Sequence, residues 1–186
     1  MRSILLASAV ALMVLCAGCK DEKKEDDSAA QQKALLKEKT REAVDMLDRI
    51  CKGAAAYYTT PHVNMGDGMK LPCQFPASVG PTPGSRGCAD KAVDKDGDAF
   101  CDPDPDVWAV PGWSALMFEM NDPHRFVYSF ASKGTGADAE FVATANGDLD
   151  GDGVLSTFQR FGKGAAESGG ECTLGPTAFR TENDLE

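Results

Sequence analysis

From Ser28 to Lys52 the chain contains neither proline nor glycine, and the first break comes at Gly53. Ser28 can cap a helix there, and the spacing predicts one over about 29–58. Apolar residues recur in its second half only. Val44, Leu47, Ile50 or Cys51, Ala54 and Tyr57 or Tyr58 fall three and four apart, on one stripe. Before Ala43 the large apolar residues are Leu35 and Leu36 among many charges, so the first half is expected to project from the domain or fray. At about 1.5 Å per residue such a helix is roughly 45 Å long. Half of it demands an apolar partner surface, and the rest of the chain must supply one.

With 186 residues, one domain with a real core is expected, and two are not comfortably accommodated. The downstream segments read as strands. Arg125 to Ala131 is aromatic and β-branched, and Glu140 to Ala145 and Leu155 to Phe161 come after loops. Strands joined in sequence make an antiparallel meander, and the striped half of the helix is what can cover its apolar face. The fold class is therefore α+β, with a long N-terminal helix packed on a β-meander over about 117–162. Between helix and meander, residues 59–112 form a long loop region. Its first part holds Pro61, Pro72, Pro76, Pro81 and Pro83 with repeated glycines, so no regular element is expected there, although Leu71, Phe75 and Val79 suit a loop crossing the core. Trp108 to Phe118 is apolar around Pro111-Gly112 and predicts a short helical turn or strand in the core. Residues 163–186 read as a glycine-rich polar tail, with Cys172 to hold it.

Two acidic clusters stand out. In Gly147 to Phe158, Asp148, Asp150 and Asp152 alternate, with Gly151 and Gly153 to let the chain turn. If Asp148 is the first position of a cation loop, Val154 offers a carbonyl at the seventh and Ser156 a hydroxyl at the ninth. Calcium takes about six to eight oxygens in a flexible cage, which these residue types suit. Gln159 stands where a full EF-hand loop has glutamate, and a solvated Asp-Gly turn is the alternative; three carboxylates this close repel unless a cation or Arg160 relieves them. Asp94, Asp96, Asp98 and Asp102 form a second cluster, which departs from a calcium loop because Ala99 replaces the turn glycine. Calcium is the expected cofactor.

The N-terminus predicts export. Arg2 is followed by an apolar run, Ile4 to Cys16, too short to span a bilayer permanently, then by Ala17-Gly18 before Cys19. Small residues directly before a cysteine resemble the lipobox of bacterial lipoproteins, although Cys16 stands where leucine is usual; an ordinary cleaved signal is the alternative. On this reading 1–18 is a signal peptide, Cys19 is lipidated, 19–28 is a charged solvated tether, and 29–186 is the domain. The partner is then a membrane, inner or outer. Five further cysteines remain: Cys51, Cys73, Cys88, Cys101 and Cys172. None has CxxC spacing and neither histidine is near one in sequence, so in an exported chain disulfides are expected rather than zinc. Two bridges leave one thiol, and Cys88 with Cys101 is favoured because the segment between them lacks a core of its own.

The net charge of −10, with no basic stripe, excludes a nucleic-acid partner. No nucleophile elbow, Walker loop, zinc-protease helix or Rossmann glycine set is present. His62 and His124 are the two histidines; His124, beside Asp122-Pro123, reads as a turn residue making local hydrogen bonds. No enzyme and no small-molecule substrate are expected.

The order of parts resembles the globular head of type IV pilin-like and pseudopilin-like fimbrial proteins, especially of the myxobacterial kind. Phe75 to Pro83, Trp113 with Asp122-Pro123-His124, Tyr128-Ser129-Phe130, Gly147 to Phe158 and the closing Glu182 to Glu186 carry the likeness, over about Ala43 to Glu186. The resemblance implies partners in a pilus or secretion system, and calcium in the late loop. The N-terminus departs from it: the fifth residue after Gly18 is Lys23, where pilins carry glutamate in an apolar filament helix. Burying such charges in a dry filament core costs more than packing returns. The combined reading is a pilin-like head on a lipid anchor, with its head in the periplasm or at the cell surface. A calcium-dependent adhesion or binding lipoprotein that borrows the fold is the alternative.

Overall fold

A computed structural model describes residues 21–84, 87–88, 92–166 and 171–184, with side chains from Ser28 onward. Cys19 and the signal segment lie outside the described residues. The chain divides into two compact units, Met1–Ala34 and Leu35–Glu186. The first is described as helical backbone from Asp21 onward, and the second holds the sheet and the core. Among the described residues no helix is long and apolar enough to cross a membrane.

Helix α1 spans Asp21–Thr59. It therefore begins inside the charged run that the sequence reading assigns to a tether. Its buried stripe is Ala43, Leu47, Ile50, Ala54 and Tyr58, all at 0% exposure. Ala43 replaces the expected Val44, and Ile50 and Tyr58 win over Cys51 and Tyr57, which are partly covered. The phase brings small Ala43 and Ala54 to the seam, where backbone can approach closely.

Opposite lies one five-stranded antiparallel sheet in the order β1-β2-β3-β4-β5. Its strands are β1 Val79–Thr82, β2 Val127–Lys133, β3 Glu140–Gly147, β4 Ser156–Gly164 and β5 Leu174–Glu182. Two of these correct the sequence reading. β1 lies within the segment expected to be irregular, and β5 lies in the expected polar tail. Both carry glycine and proline, which argue against a central strand, but both are edge strands, where a missing N–H costs no ladder bond. The predicted meander of three becomes five. In the connecting region, α2 Pro105–Trp108 and α3 Pro111–Leu116 are short helices. Each starts at a proline, whose fixed φ suits a first helical position.

The core lies between the α1 stripe and the inner sheet face. Tyr128, Phe130, Phe141, Ala143, Ala145 and Phe158 alternate inward along β2 to β4, and Trp108, Trp113, Leu116 and Phe118 close one side. Trp113 Nε1 donates to Thr82 Oγ1 at 2.9 Å, tying α3 to β1. At Gly53 the helix passes so close to α3 that a Cβ would collide with the Leu116 carbonyl.

Polar fasteners run beside the stripe. The Glu42 carboxylate accepts from the Arg125 N–H at 3.1 Å and the Tyr128 hydroxyl at 3.1 Å. Burial pushes this carboxyl up from its ordinary range, and those two donors pull it part of the way back. Asp48 pairs with Arg160 on β4, and Lys39 Nζ donates to the Leu149 carbonyl. The Tyr58 hydroxyl donates to the Gly136 carbonyl at 2.7 Å.

Two disulfides form, Cys88–Cys101 and Cys73–Cys172, leaving Cys51 as the free thiol among the described cysteines. The first is the favoured local pair; the second links the loop after α1 to the residues just before β5, across 99 residues of sequence.

Two outcomes are expected in thermal or denaturant unfolding. Gly53→Val forces α1 off α3 and costs about 1–3 kcal/mol or more by overpacking. Replacing Cys73 and Cys172 together by serine costs about 2–5 kcal/mol, as expected for a bridge closing a long loop.

Candidate functional site

Asp148, Asp150 and Asp152 converge: one carboxylate oxygen from each lies within 4.8 Å of the others. The same holds for Asp94, Asp96 and Asp98. Asp102 is not in the second group; its Oδ2 accepts from the Lys95 N–H at 2.9 Å and so braces the turn from outside.

The two turns have the same hydrogen-bond pattern. Asp148 Oδ1 accepts from Gly151 N at 2.7 Å and Oδ2 from Gly153 N at 3.0 Å. Asp94 Oδ1 accepts from Gly97 N at 2.6 Å and Oδ2 from Ala99 N at 2.9 Å. The middle acids, Asp150 and Asp96, each accept at Oδ1 from the N–H two residues on, and so do the last acids, Asp152 and Asp98. Short acidic side chains thus satisfy the N–H groups of a turn too tight to satisfy them itself. Gly151 and Gly97 have φ of 86° and 84°, Gly153 has 91°, and Ala99 adopts 63°. Ala99 therefore takes the left-handed conformation that its lack of a glycine seemed to forbid, at a strain of about 1–2 kcal/mol.

The environments differ. Asp94 is buried. Desolvation pushes its carboxyl up, but the N–H groups of Gly97, Ala99 and Asp98, with a hydrogen bond to Asp96, together outweigh it and hold the carboxyl low. The Asp98 charge foremost, then desolvation, pushes Asp96 up. In the other turn, Leu149 is buried in the core while its carbonyl meets Lys39 of α1, so the turn is anchored from its second residue. Asp150 and Asp152 are exposed.

Among the described residues no ion pair reaches any of these acids. Arg160, expected as a source of relief for the Asp148 turn, instead pairs with Asp48 and lies 5.0 Å from the centre of the Phe179 ring. Val154 is exposed, and its N–H goes to Asp152 Oδ1. Ser156 is fully buried as the first residue of β4, paired with Gly147. Gln159 is on β4, where its Nε2 donates to Thr144 Oγ1 at 3.3 Å.

The local turn contacts expected of His124 are present, with its Nδ1 3.0 Å from the Asp122 carbonyl. The ring is also 1% exposed, stands 5.9 Å from that of Trp108, and comes next to Cys88 and Cys101. Its Nε2 is buried without a partner among the described residues, a cost of about 1–3 kcal/mol. Burial foremost pushes this imidazole down, with the Asp122 carbonyl opposing. Nothing in sequence spacing announces the neighbourhood, because an isolated bridge between Cys101 and His124 creates it across the intervening loop.

Comparison of the chain with protein-family models, curated proteins and solved structures finds no match.

Two outcomes are expected from stability measurements. Gly153→Ala costs about 1–2 kcal/mol through backbone strain, since no atom stands within 4 Å of the added Cβ, whereas Ala99→Gly causes no loss. His124 binds its proton less readily folded than unfolded, so its contribution to stability is lost as pH falls below about 6.5 towards the depressed folded value. Across that window the melting temperature of the wild type should fall more than that of His124→Gln.

Proposed function

We propose that this chain is a non-enzymatic, lipid-anchored envelope protein: a pilin-like head, held to a membrane through acylated Cys19, that serves as a structural or accessory component beside a type IV pilus or related secretion machine. The observation that carries the reading is the division of labour along α1. Its buried stripe begins at Ala43 and seats an antiparallel meander, while every residue from Ser28 to Leu35 is exposed. A helix that buries its stripe only from Ala43 onward, and whose preceding residues are exposed and follow a run of charges, suits a solvated tether rather than a filament core. More than one acyl chain at Cys19 would make that anchorage stable.

On this reading the two acidic turns take calcium. Support comes from the shared arrangement: in each turn three carboxylates converge, and although both oxygens of the first accept backbone N–H groups, each carboxylate oxygen has a second lone pair to offer a cation. Calcium would neutralise Asp148, Asp150 and Asp152 between β3 and β4, and Asp94, Asp96 and Asp98 within the Cys88–Cys101 ring. It would stiffen both turns. The pair of matching turns also favours the adhesion reading, in which the same ions would hold a binding surface in shape.

Lipid labelling and fractionation test the anchor: Cys19→Ala should lose the label and leave the membrane fraction, and retention of both would refute it. Calorimetry tests the cation. Binding should stabilise the head by about 2.7 kcal/mol per site at a hundredfold excess over Kd, and Asp150→Ala should abolish one site. Absence of heat and of thermal stabilisation would remove calcium from the account. Recovery in purified pili separates the accessory role from adhesion, which predicts instead that chelation releases surface binding with pili intact.

A further inference from the structure

Helix α3 ends on a residue that its own geometry disfavours. The Met117 N–H donates to the Ser114 carbonyl at 3.1 Å and the Phe118 N–H to the Trp113 carbonyl at 3.1 Å, a helix end at which glycine is usual. Met117 stands there instead, in the left-handed region at φ 52° and ψ 42°. Any side chain is strained in that conformation, and at 71% exposure core packing does not offset the strain. Strain of this kind collects at binding sites. Met117 in fact borders a cleft of 440 Å³ where α1, α2 and α3 meet, a size that suits a small ligand. Trp108 and Phe118, each 2% exposed and in edge-to-face contact at 5.6 Å, give the cleft an aromatic wall. Arg49 of α1, Ser114 of α3 and Glu119 give it a polar rim. The Arg49 guanidinium lies 5.4 Å from the centre of the Phe118 ring, and its one hydrogen bond goes to the Met46 sulfur, a weak acceptor. Glu119 accepts from Asn121 Nδ2 at 2.9 Å. Among the described residues neither Arg49 nor Glu119 is in an ion pair, so a cation and an anion line one cleft without neutralising each other.

We propose that this cleft binds a free α-amino acid with an aromatic or large apolar side chain, held and released unchanged. Arg49 takes the carboxylate through its remaining N–H groups, with the Ser114 hydroxyl beside it, and Glu119 takes the ammonium. The ligand's side chain lies against Trp108 and Phe118 under Met117. The pairing of charges on the rim selects the ligand class. An anion alone would meet Glu119 unpaired and a cation alone would meet Arg49 unpaired, whereas a zwitterion satisfies both. Having no net charge, it is also neither drawn nor repelled at long range by the chain's net charge of −10. Met117 explains why the helix end tolerates its strain: glycine there would leave the cleft without a cover. A flexible, polarizable thioether chain adapts to side chains of different shape and makes favourable contacts with aromatic rings, so the site discriminates by size and apolarity more than by outline.

Calorimetric titration of the full chain with L-phenylalanine tests the proposal, with phenethylamine, which lacks the carboxylate, and hydrocinnamate, which lacks the ammonium, as probes of each half. L-phenylalanine should saturate a single site, and each truncated analogue should bind at least about tenfold more weakly, since each leaves one charged group of the cleft without its hydrogen bonds. In Arg49→Gln the advantage of L-phenylalanine over phenethylamine should vanish, and in Glu119→Gln its advantage over hydrocinnamate should vanish. Both residues are exposed, so both variants should melt as the wild type does. Met117→Gly should weaken binding without destabilising the fold, because glycine relieves the left-handed strain. Absence of saturation at millimolar L-phenylalanine would overturn the site. So would analogues that bind the wild type as tightly as L-phenylalanine, a result that needs no variant to fold, or preferences that survive unchanged in Arg49→Gln and Glu119→Gln.

Discussion

Everything in the Leu35–Glu186 unit depends on the seating of the α1 stripe against the inner face of the sheet. Leu47 and Ile50 alone, each worth about 1.5–3 kcal/mol on burial, give the helix a reason to lie where it does. Apolar contact does not fix the angle or register, and here the fasteners contribute. Glu42, Asp48 and Lys39 each reach a different part of the sheet or its loops. Glu42 is the costly one, because burial disfavours its charge. It is retained where it satisfies both the Arg125 N–H and the Tyr128 hydroxyl, two donors that would otherwise be desolvated at the start of β2.

Those fasteners also connect the helix to the acidic turns. Leu149, second residue of one turn, is buried in the core and its carbonyl meets Lys39. Phe100, at the end of the other, lies under the Arg125 guanidinium at 4.1 Å, and the Arg125 N–H is bound by Glu42. Both turns are therefore local in their hydrogen bonding and non-local in their anchorage. A cation at either would act on a segment already fastened to α1, so its effect would be to rigidify an edge rather than to build the fold.

Legibility in the sequence tracks the range of the interactions. The helix and three central strands announce themselves through uninterrupted periodicity, and the Asp-Gly spacing gives the Asp148 turn because its hydrogen bonds span only two to five residues. β1 and β5 are hidden because Val79-Gly80-Pro81-Thr82 and Leu174-Gly175-Pro176 read as breakers, and only pairing with β2 and β4 makes strands of them. Ala99 misleads in the same way: a residue type that disfavours the left-handed conformation is held in it by Asp94 and by the ring that Cys88–Cys101 closes. The meeting of His124 with that disulfide, and the choice of Ala43 over Val44, depend on where distant backbone lies. Periodicity cannot carry that information.

Residues 43–58 of α1 and the central strands share one core and are therefore expected to unfold as one cooperative unit. Native-state hydrogen exchange tests it most directly. Amides of Leu47 to Ala54 and of β2, β3 and β4 should open with the same free energy, equal to that of global unfolding. If the α1 amides instead exchanged through a separate opening of much lower free energy, with the sheet still protected, the helix would be an accessory laid on an independently stable sheet, which contradicts a single cooperative unit.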